Sequence, residues 1–157
     1  MDRKKRERPG ILELFYVGLQ LIFFVLYLFK VNIFLVTYPA SVRYVFLFLS
    51  ILGFCILALG IIQLRSNLTP FPSPKTGSYL VTNGLYKYIR HPIYTGIFCM
   101  LFFYGFYAMS IFKICISIAL LVLFHFKSKY EEKLLEEKFE MYARYMKDTA
   151  KFFPGIF

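Results

Sequence analysis

Four apolar runs divide this sequence, and polar or proline-rich segments separate them. They cover about residues 11–37, 42–64, 93–109 and 111–127. An α-helix needs about 20 mainly apolar residues to cross the hydrocarbon core of a bilayer. The pattern therefore predicts an all-α integral membrane protein, a helical bundle of about four transmembrane helices, with residues 1–157 forming a single domain.

Two segments depart from the apolar pattern. Residues 66–92 contain Pro70, Pro72 and Pro74 together with turn-forming glycines and asparagines, which predict a loop rather than a helix. Such a long loop is usually functional or disordered, and its many tyrosines and aliphatic residues argue against disorder. Residues 127–148 alternate charged residues with apolar ones at helical spacing, so the fourth helix is predicted to leave the bilayer and continue into water.

Composition supports a membrane environment. Hydrophobic residues make up 59% of the chain and aromatic residues 21%, which is more apolar surface than a soluble fold of this size can bury. The formal net charge is +10, but the basic residues flank the apolar runs, which favours membrane lipids over nucleic acid as partners. The three cysteines have no paired metal-ligand spacing, so the sequence predicts neither a disulfide nor a metal site.

The distribution of lysine and arginine predicts the orientation. With four spans, Lys30, Arg43 and Lys113 fall on one side of the membrane, and the other sixteen basic residues fall on the opposite side. Basic residues favour the cytoplasmic side of multi-pass proteins. Both termini and the 66–92 loop are therefore expected to face the cytoplasm, while the oligomeric state stays open.

Arg90-His91-Pro92 lies where the loop gives way to the third apolar run. Proline suits the first turn of a helix, so the third span can begin at Pro92. The amide groups at a helix N-terminus favour anions such as a carboxylate, and Arg90 and His91 add further donors. Tyr94 lies on the first turn, and Gly96 leaves room beside it. The alternative is a simple interfacial belt of polar and aromatic side chains at a helix start.

Glu131 and Glu132 form the second candidate group. Consecutive residues on a helix point about 100° apart, so one acid can face a pocket while the other stays in solvent. An acid in a pocket can bind an ammonium group by a charge-assisted hydrogen bond. The alternative is a charged helix face on which these acids pair with nearby lysines.

Taken together, these motifs resemble the isoprenylcysteine carboxyl methyltransferase family and the related phospholipid methyltransferases. The family pattern has a Val-Thr-x-Gly-x-Tyr segment, then Arg-His-Pro-x-Tyr-x-Gly, a helical hairpin, a Glu-Glu pair and an aromatic tail that ends near a proline. In this chain the matching residues are Val81-Thr82-Asn83-Gly84-Leu85-Tyr86, Arg90 through Gly96, Glu131-Glu132, Leu135, Phe139, Tyr142, Tyr145 and Pro154. The resemblance covers about residues 76–155.

The resemblance implies an enzyme that uses S-adenosylmethionine, with residues 76–96 and 127–155 forming the cofactor region. The implied cofactor contacts are Tyr79, Leu80, Val81, Tyr86, His91, Pro92, Tyr94, Gly96, Glu131 and Glu132. The implied catalytic group is Arg90, His91, Glu131 and Glu132. No Gly-x-Gly-x-x-Gly segment follows a strand, so a soluble Rossmann-type methyltransferase is excluded.

The resemblance leaves the methyl acceptor open. Family members that methylate prenylcysteine carry an arginine about one helical turn before the acidic pair. This chain has Lys127 and Lys129 there, so these lysines are the candidate substrate contacts. Glu140 also replaces a family glycine, and Ala150-Lys151 replaces a Pro-Arg pair. The first hypothesis is carboxyl O-methylation of an isoprenylcysteine-like, lipidated acceptor. The alternatives are methylation of a phospholipid amine or of a small lipophilic thiol, a non-catalytic lipid-binding protein, and a nicotinamide-dependent reductase.

Overall fold

The computed structural model describes residues 9–31, 37 and 39–155. Within these residues the chain forms five α-helices: α1 (Ile11–Leu28), α2 (Ala40–Leu64), α3 (Pro92–Tyr107), α4 (Ile111–Lys138) and α5 (Tyr142–Asp148). Two short 3-10 turns lie between α2 and α3, at Arg65–Asn67 and Gly84–Lys87. The described part of the chain has no strand beyond one isolated bridge, so the expected all-α class is confirmed.

Three of the helices, α1, α2 and α4, are long and apolar enough to cross a membrane, and α3 is a shorter apolar helix of 16 residues. These helices confirm the expected integral membrane bundle. Helix α1 ends at Leu28, earlier than the predicted end of the first span, because Phe29 takes an extended backbone with φ −69° and ψ 137°. Most of the remaining predicted span, residues 32–36, lies outside the described residues, as does most of the basic N-terminal flank.

Helices α2 and α3 pack with their backbones in direct contact. A Cβ atom added at Gly53 on α2 would lie 2.4 Å from the backbone nitrogen of Met100, and one added at Gly96 on α3 would lie 2.4 Å from that of Leu57. Ser50 Oγ also donates a hydrogen bond of 2.8 Å to the Met100 carbonyl. Small residues allow such close approach between membrane helices. This contact fixes α3 against α2.

Helices α3 and α4 form a tight hairpin, in keeping with the two adjacent apolar runs of the sequence and the hairpin of the family pattern. Met109 in the turn has a φ of 50°, and Ser110 caps α4 by accepting a hydrogen bond from the Lys113 amide. Helix α1 packs against α4, and the buried apolar core joins these helices to the C-terminal segment. The members of this core are Tyr27, Ile116, Leu120, Leu123, Phe124 and Phe152.

The charged segment after the fourth apolar run folds as two helices. Helix α4 continues past its apolar portion to Lys138, as predicted. Phe139 then takes an extended backbone with φ −122° and ψ 110°, and α5 begins at Tyr142. The predicted helix over 127–148 is therefore interrupted. The turn brings α5 beside the start of α3, where the Arg90 guanidinium donates a hydrogen bond of 2.8 Å to a carbonyl of α5.

Candidate active site

A cavity of about 330 Å³ opens at the end of the bundle that carries the 66–92 loop. Its walls come from α1, the end of α2, the loop, the start of α3, the second half of α4, and α5. Its polar and aromatic lining includes Gln20, Tyr79, Tyr86, Arg90, His91, Tyr94, Lys127, Glu131, Tyr142 and Tyr145, and its apolar lining includes Leu64, Ile93, Ile97 and Leu135. A cavity of this size can hold a small organic ligand.

The central part of the 66–92 loop, which lines one side of the cavity, forms no helix or strand. Side-chain hydrogen bonds hold it in place instead. Asn67 Nδ2 donates a hydrogen bond of 2.9 Å to the Tyr79 carbonyl. Ser73 Oγ donates to the buried carboxylate of Glu13 on α1. These bonds place the backbone of residues 79–81 along the cavity.

The C-terminal segment holds Arg90 and His91 in place. The Arg90 amide donates to the Ala150 carbonyl at 2.9 Å, and the His91 amide donates to the Lys151 carbonyl at 3.2 Å. Pro92 is the first residue of α3, as predicted, and His91 is its N-cap with φ −123° and ψ 59°. Both basic residues therefore stand at the N-terminal end of α3, where the helix amides favour negative charge.

Glu132 binds three basic side chains in a buried cluster. Its Oε1 lies 2.9 Å from Arg90 Nε and 3.2 Å from His91 Nε2, and its Oε2 lies 3.2 Å from Lys151 Nζ. Burial alone raises the pKa of this carboxyl. The hydrogen bonds and charges of His91, Arg90 and Lys151 outweigh burial and lower the pKa to about 2. Glu132 is therefore ionised at neutral pH, and it binds these side chains instead of lining the cavity.

Glu131 lines the cavity on the adjacent face of α4. The Tyr94 hydroxyl donates a hydrogen bond of 2.9 Å to Glu131 Oε2, and His91 Nδ1 lies 3.9 Å from the same oxygen. The two acids thus have different surroundings, as their spacing predicts. The spacing allows one of the acids to stay in solvent, but Glu132 is buried with its basic partners.

Tyrosine rings form much of the remaining wall. Tyr86 is 7% exposed and Tyr142 is 2% exposed, and the Tyr145 hydroxyl donates a hydrogen bond of 2.5 Å to the Tyr86 carbonyl. Burial raises the pKa of all three hydroxyls, to about 12 for Tyr145. The rings are therefore neutral at physiological pH, and they present π faces that can bind a cation.

Of the two lysines expected to contact a substrate, Lys127 reaches the cavity and Lys129 does not. Lys127 is 2% exposed, and its Nζ donates to Gln20 Oε1 at 2.7 Å and to the Pro70 carbonyl at 3.0 Å. Its ammonium group lies 5.4 Å from the centre of the Tyr94 ring. Lys129 is exposed on α4 and lies outside the cavity lining.

A family model described as phospholipid methyltransferase matches residues 42–141, which is more than half of the chain. The chain belongs to the phospholipid methyltransferase family. The match includes the loop, Arg90, His91 and the glutamate pair, so the resemblance inferred from the motifs is confirmed. Membership implies a methyltransferase that acts on membrane lipids or related substrates. No curated protein matches the chain.

In this family member, the other expected cofactor contacts fall into two groups. Tyr79, Leu80 and Val81 line the cavity. Pro92 and Gly96 lie outside the cavity lining, at the contact between α3 and α2. Any effect of these two residues on a bound ligand is therefore indirect, through the position of α3.

Sequence reasoning missed Gln20 in this methyltransferase and assigned no role to Lys151. Gln20 interrupts the first apolar run, and a polar residue inside a membrane helix is a candidate for function, so a signal was present. Lys151 stands where the family has the arginine of a Pro-Arg pair, but its pairing with Glu132 gives no local signal, because the two residues are distant in the sequence.

Proposed function

We propose that the chain transfers the methyl group of S-adenosylmethionine to a lipophilic acceptor in the membrane. The observation that carries this proposal is the cavity, where a carboxylate, a basic helix N-terminus and several tyrosine rings meet. Methyltransferases of this family generally use this cofactor. The preferred acceptor is a carboxylate on a lipid-modified molecule, as in isoprenylcysteine carboxyl methylation.

The charged groups of the cavity fit the amino-acid part of the cofactor. Glu131 offers a carboxylate to the ammonium group, in a charge-assisted hydrogen bond. Arg90, His91 and the first turn of α3 offer positive potential to the cofactor carboxylate. Glu131 Oε2 and His91 Nδ1 lie 3.9 Å apart, so a ligand that carries an ammonium and a carboxylate on the same carbon can reach both residues together.

The tyrosine rings fit the remainder of the cofactor. A sulfonium is stabilised over the face of an aromatic ring, and Tyr86 and Tyr94 both line the cavity. Aromatic faces and apolar groups also suit the adenine, for which the backbone of residues 79–81 supplies hydrogen-bonding groups.

The residues of the chain act by binding, orienting and excluding water, while the bound cofactor supplies an electrophilic methyl group. Tyr94 fixes Glu131 by its hydrogen bond to Oε2, so the carboxylate is oriented before a ligand arrives. The buried tyrosine walls exclude water, which strengthens the electrostatic contacts inside the cavity. Orientation of two reactants in this way replaces the need for a nucleophile on the protein.

Lys127 favours an anionic acceptor. Two of its three N–H groups donate to Gln20 and to the Pro70 carbonyl, which leaves one N–H group for a ligand as far as the described residues are concerned. A carboxylate is ionised at neutral pH and needs no base before it attacks the methyl carbon. The apolar lining, which includes Ile93 and Ile97, suits the lipid chain of such an acceptor.

A phospholipid amine is the second candidate acceptor, and the description of the family favours it. A protonated amine must lose a proton before it can accept a methyl group, and His91 and Glu131, which both line the cavity, are the candidates to take this proton. The positive charge of Lys127 works against a protonated amine. A lipophilic thiol becomes an anion when it ionises, so the positive charge of Lys127 favours it in the same way as a carboxylate.

The acceptor is tested by methyl transfer from radiolabelled S-adenosylmethionine in lipid nanodiscs. Parallel samples contain a farnesylated cysteine with a free carboxylate, phosphatidylethanolamine, or a long-chain thiol. We expect label on the carboxylate acceptor, a loss of at least about tenfold in the Lys127→Gln variant, and no change in the matched Lys129→Gln variant.

Label on phosphatidylethanolamine alone would contradict the carboxylate acceptor and support the amine. Absence of label from all three acceptors, together with no cofactor binding, would overturn the proposed enzyme and leave a non-catalytic lipid-binding protein.

A further inference from the structure

The segment that follows α5 runs beside the Arg90-His91-Pro92 motif at the start of α3 and forms hydrogen bonds with it. We call residues 149–152 the C-terminal strap. Ile89 and Ala150 form a parallel bridge, and the amides of Arg90 and His91 donate to strap carbonyls. Thr95 Oγ1 donates a hydrogen bond of 2.7 Å to the carbonyl at the end of the strap. The strap lies beyond residue 141, where the family match ends, and none of its residues lines the cavity.

Lys151 is the strap residue that joins the buried ion cluster. Its Nζ lies 3.2 Å from Glu132 Oε2, and 17% of its side chain is exposed against 11% for Glu132. The other carboxylate oxygen, Oε1, is shared by Arg90 and His91. The two oxygens of Glu132 therefore bind different basic residues, and Lys151 binds Oε2, which neither Arg90 nor His91 contacts.

Lys151 also adds a second positive charge to the cluster around Glu132, which lies behind the cavity wall. Arg90 and Lys151 each carry a positive charge and Glu132 carries one negative charge, so the cluster has a surplus positive charge. Without Lys151, Glu132 would neutralise Arg90 and its Oε2 would lose its partner. Arg90 and His91 line the cavity, so the surplus charge acts on whatever anion lies there.

We propose that Lys151 is a positioning residue for the carboxylate end of the cofactor. It holds Glu132 Oε2, keeps Oε1 on Arg90 and His91, and adds positive charge at the start of α3, beside the negative charge of Glu131. This inference rests on the proposed function, because it concerns how the same site holds S-adenosylmethionine.

The test compares two ligands in calorimetric titrations of the detergent-purified full chain. S-adenosylmethionine carries the amino-acid carboxylate, whereas 5′-methylthioadenosine keeps the adenosine and sulfur but lacks the amino-acid part. We expect Lys151→Met to weaken binding of S-adenosylmethionine about tenfold and to leave binding of 5′-methylthioadenosine unchanged. Lys151→Arg should restore the affinity. Lys147→Met is the matched control, because Lys147 is exposed on α5 and lies outside the cluster.

An unchanged affinity of Lys151→Met for S-adenosylmethionine would overturn the inference alone. An equal loss for both ligands would also overturn it, because it would show a general structural role. If Lys151→Met does not fold, Lys151→Gln gives the same comparison with a smaller change in shape. If the unaltered chain binds no S-adenosylmethionine, the proposed function fails and the inference fails with it.

Discussion

Arg90 Nε and Glu132 Oε1 lie 2.9 Å apart, although 42 positions separate the two residues in the sequence. This contact joins the start of α3 to the part of α4 beyond its apolar run. His91 and Lys151 share the same carboxylate. The neighbouring acid, Glu131, is thereby left to face the cavity.

Loss of the Glu132 charge should destabilise the fold. The Glu132→Gln substitution keeps the shape of the side chain but leaves Arg90 and Lys151 without their buried anion. Removing one partner of a buried ion pair costs about 3 kcal/mol or more. Thermal unfolding in detergent measures the change. The matched Glu136→Gln variant, exposed on the same helix, should stay within about 0.5 kcal/mol of the unaltered chain, and an equal effect of both variants would contradict the role of the cluster.

The stability should also fall in acid. The pKa of Glu132 is lowered from 4.5 to about 2, so folding favours the ionised carboxylate. Its contribution is fully present above about pH 4.5 and is lost as the pH falls towards about 2. We expect the unfolding temperature to decrease from about pH 5 to about pH 3. This decrease should be smaller in the Glu132→Gln variant, and parallel pH curves for the two proteins would show that another group causes it.

Gly96 should matter for packing between helices more than for direct contact with a ligand. A Cβ atom there would lie 2.4 Å from the backbone nitrogen of Leu57, so Gly96→Ala must push α3 away from α2. We expect a loss of about 1–3 kcal/mol in stability, measured by thermal unfolding. Gly18→Ala is the control, because a Cβ atom at Gly18 meets no atom within 4 Å. Unchanged stability of Gly96→Ala would contradict the close packing of these helices.

The Tyr94 hydroxyl should contribute to cofactor affinity by orienting Glu131. Tyr94→Phe keeps the ring but removes the hydrogen bond of 2.9 Å to Glu131 Oε2. A hydrogen bond to a charged group contributes about 1.5 kcal/mol, so affinity for S-adenosylmethionine should fall roughly tenfold. Tyr88→Phe, at an exposed tyrosine, should bind normally. Equal affinities of the two variants in calorimetric titrations would contradict the orienting role of Tyr94.

The sequence predicts the helices and the start of α3 because both depend on local chemistry. A bilayer requires long apolar runs, and those runs are visible in α1, α2 and α4. Proline at a first helical turn marks Pro92 in the same way.

Other features depend on contacts between distant residues, which no local periodicity records. Apolar spacing continues through Phe139, yet the helix ends there, because the chain turns to bring α5 beside the motif at the start of α3. The spacing of Glu131 and Glu132 separates the two acids but does not show which one is buried. Glu132 is the buried acid because it pairs with Arg90 and Lys151, which are distant from it in the sequence.

The most direct test of the central claim is binding of S-adenosylmethionine by the purified chain. Glu131→Gln and Glu136→Gln are the matched variants, and NADPH is the control ligand. We expect the unaltered chain and Glu136→Gln to bind S-adenosylmethionine and not NADPH in calorimetric titrations. Glu131→Gln should bind at least about tenfold more weakly, because it loses the charged partner of the ammonium group. Equal affinities of all three proteins, or binding of NADPH instead, would contradict the assignment of this cavity as the cofactor site.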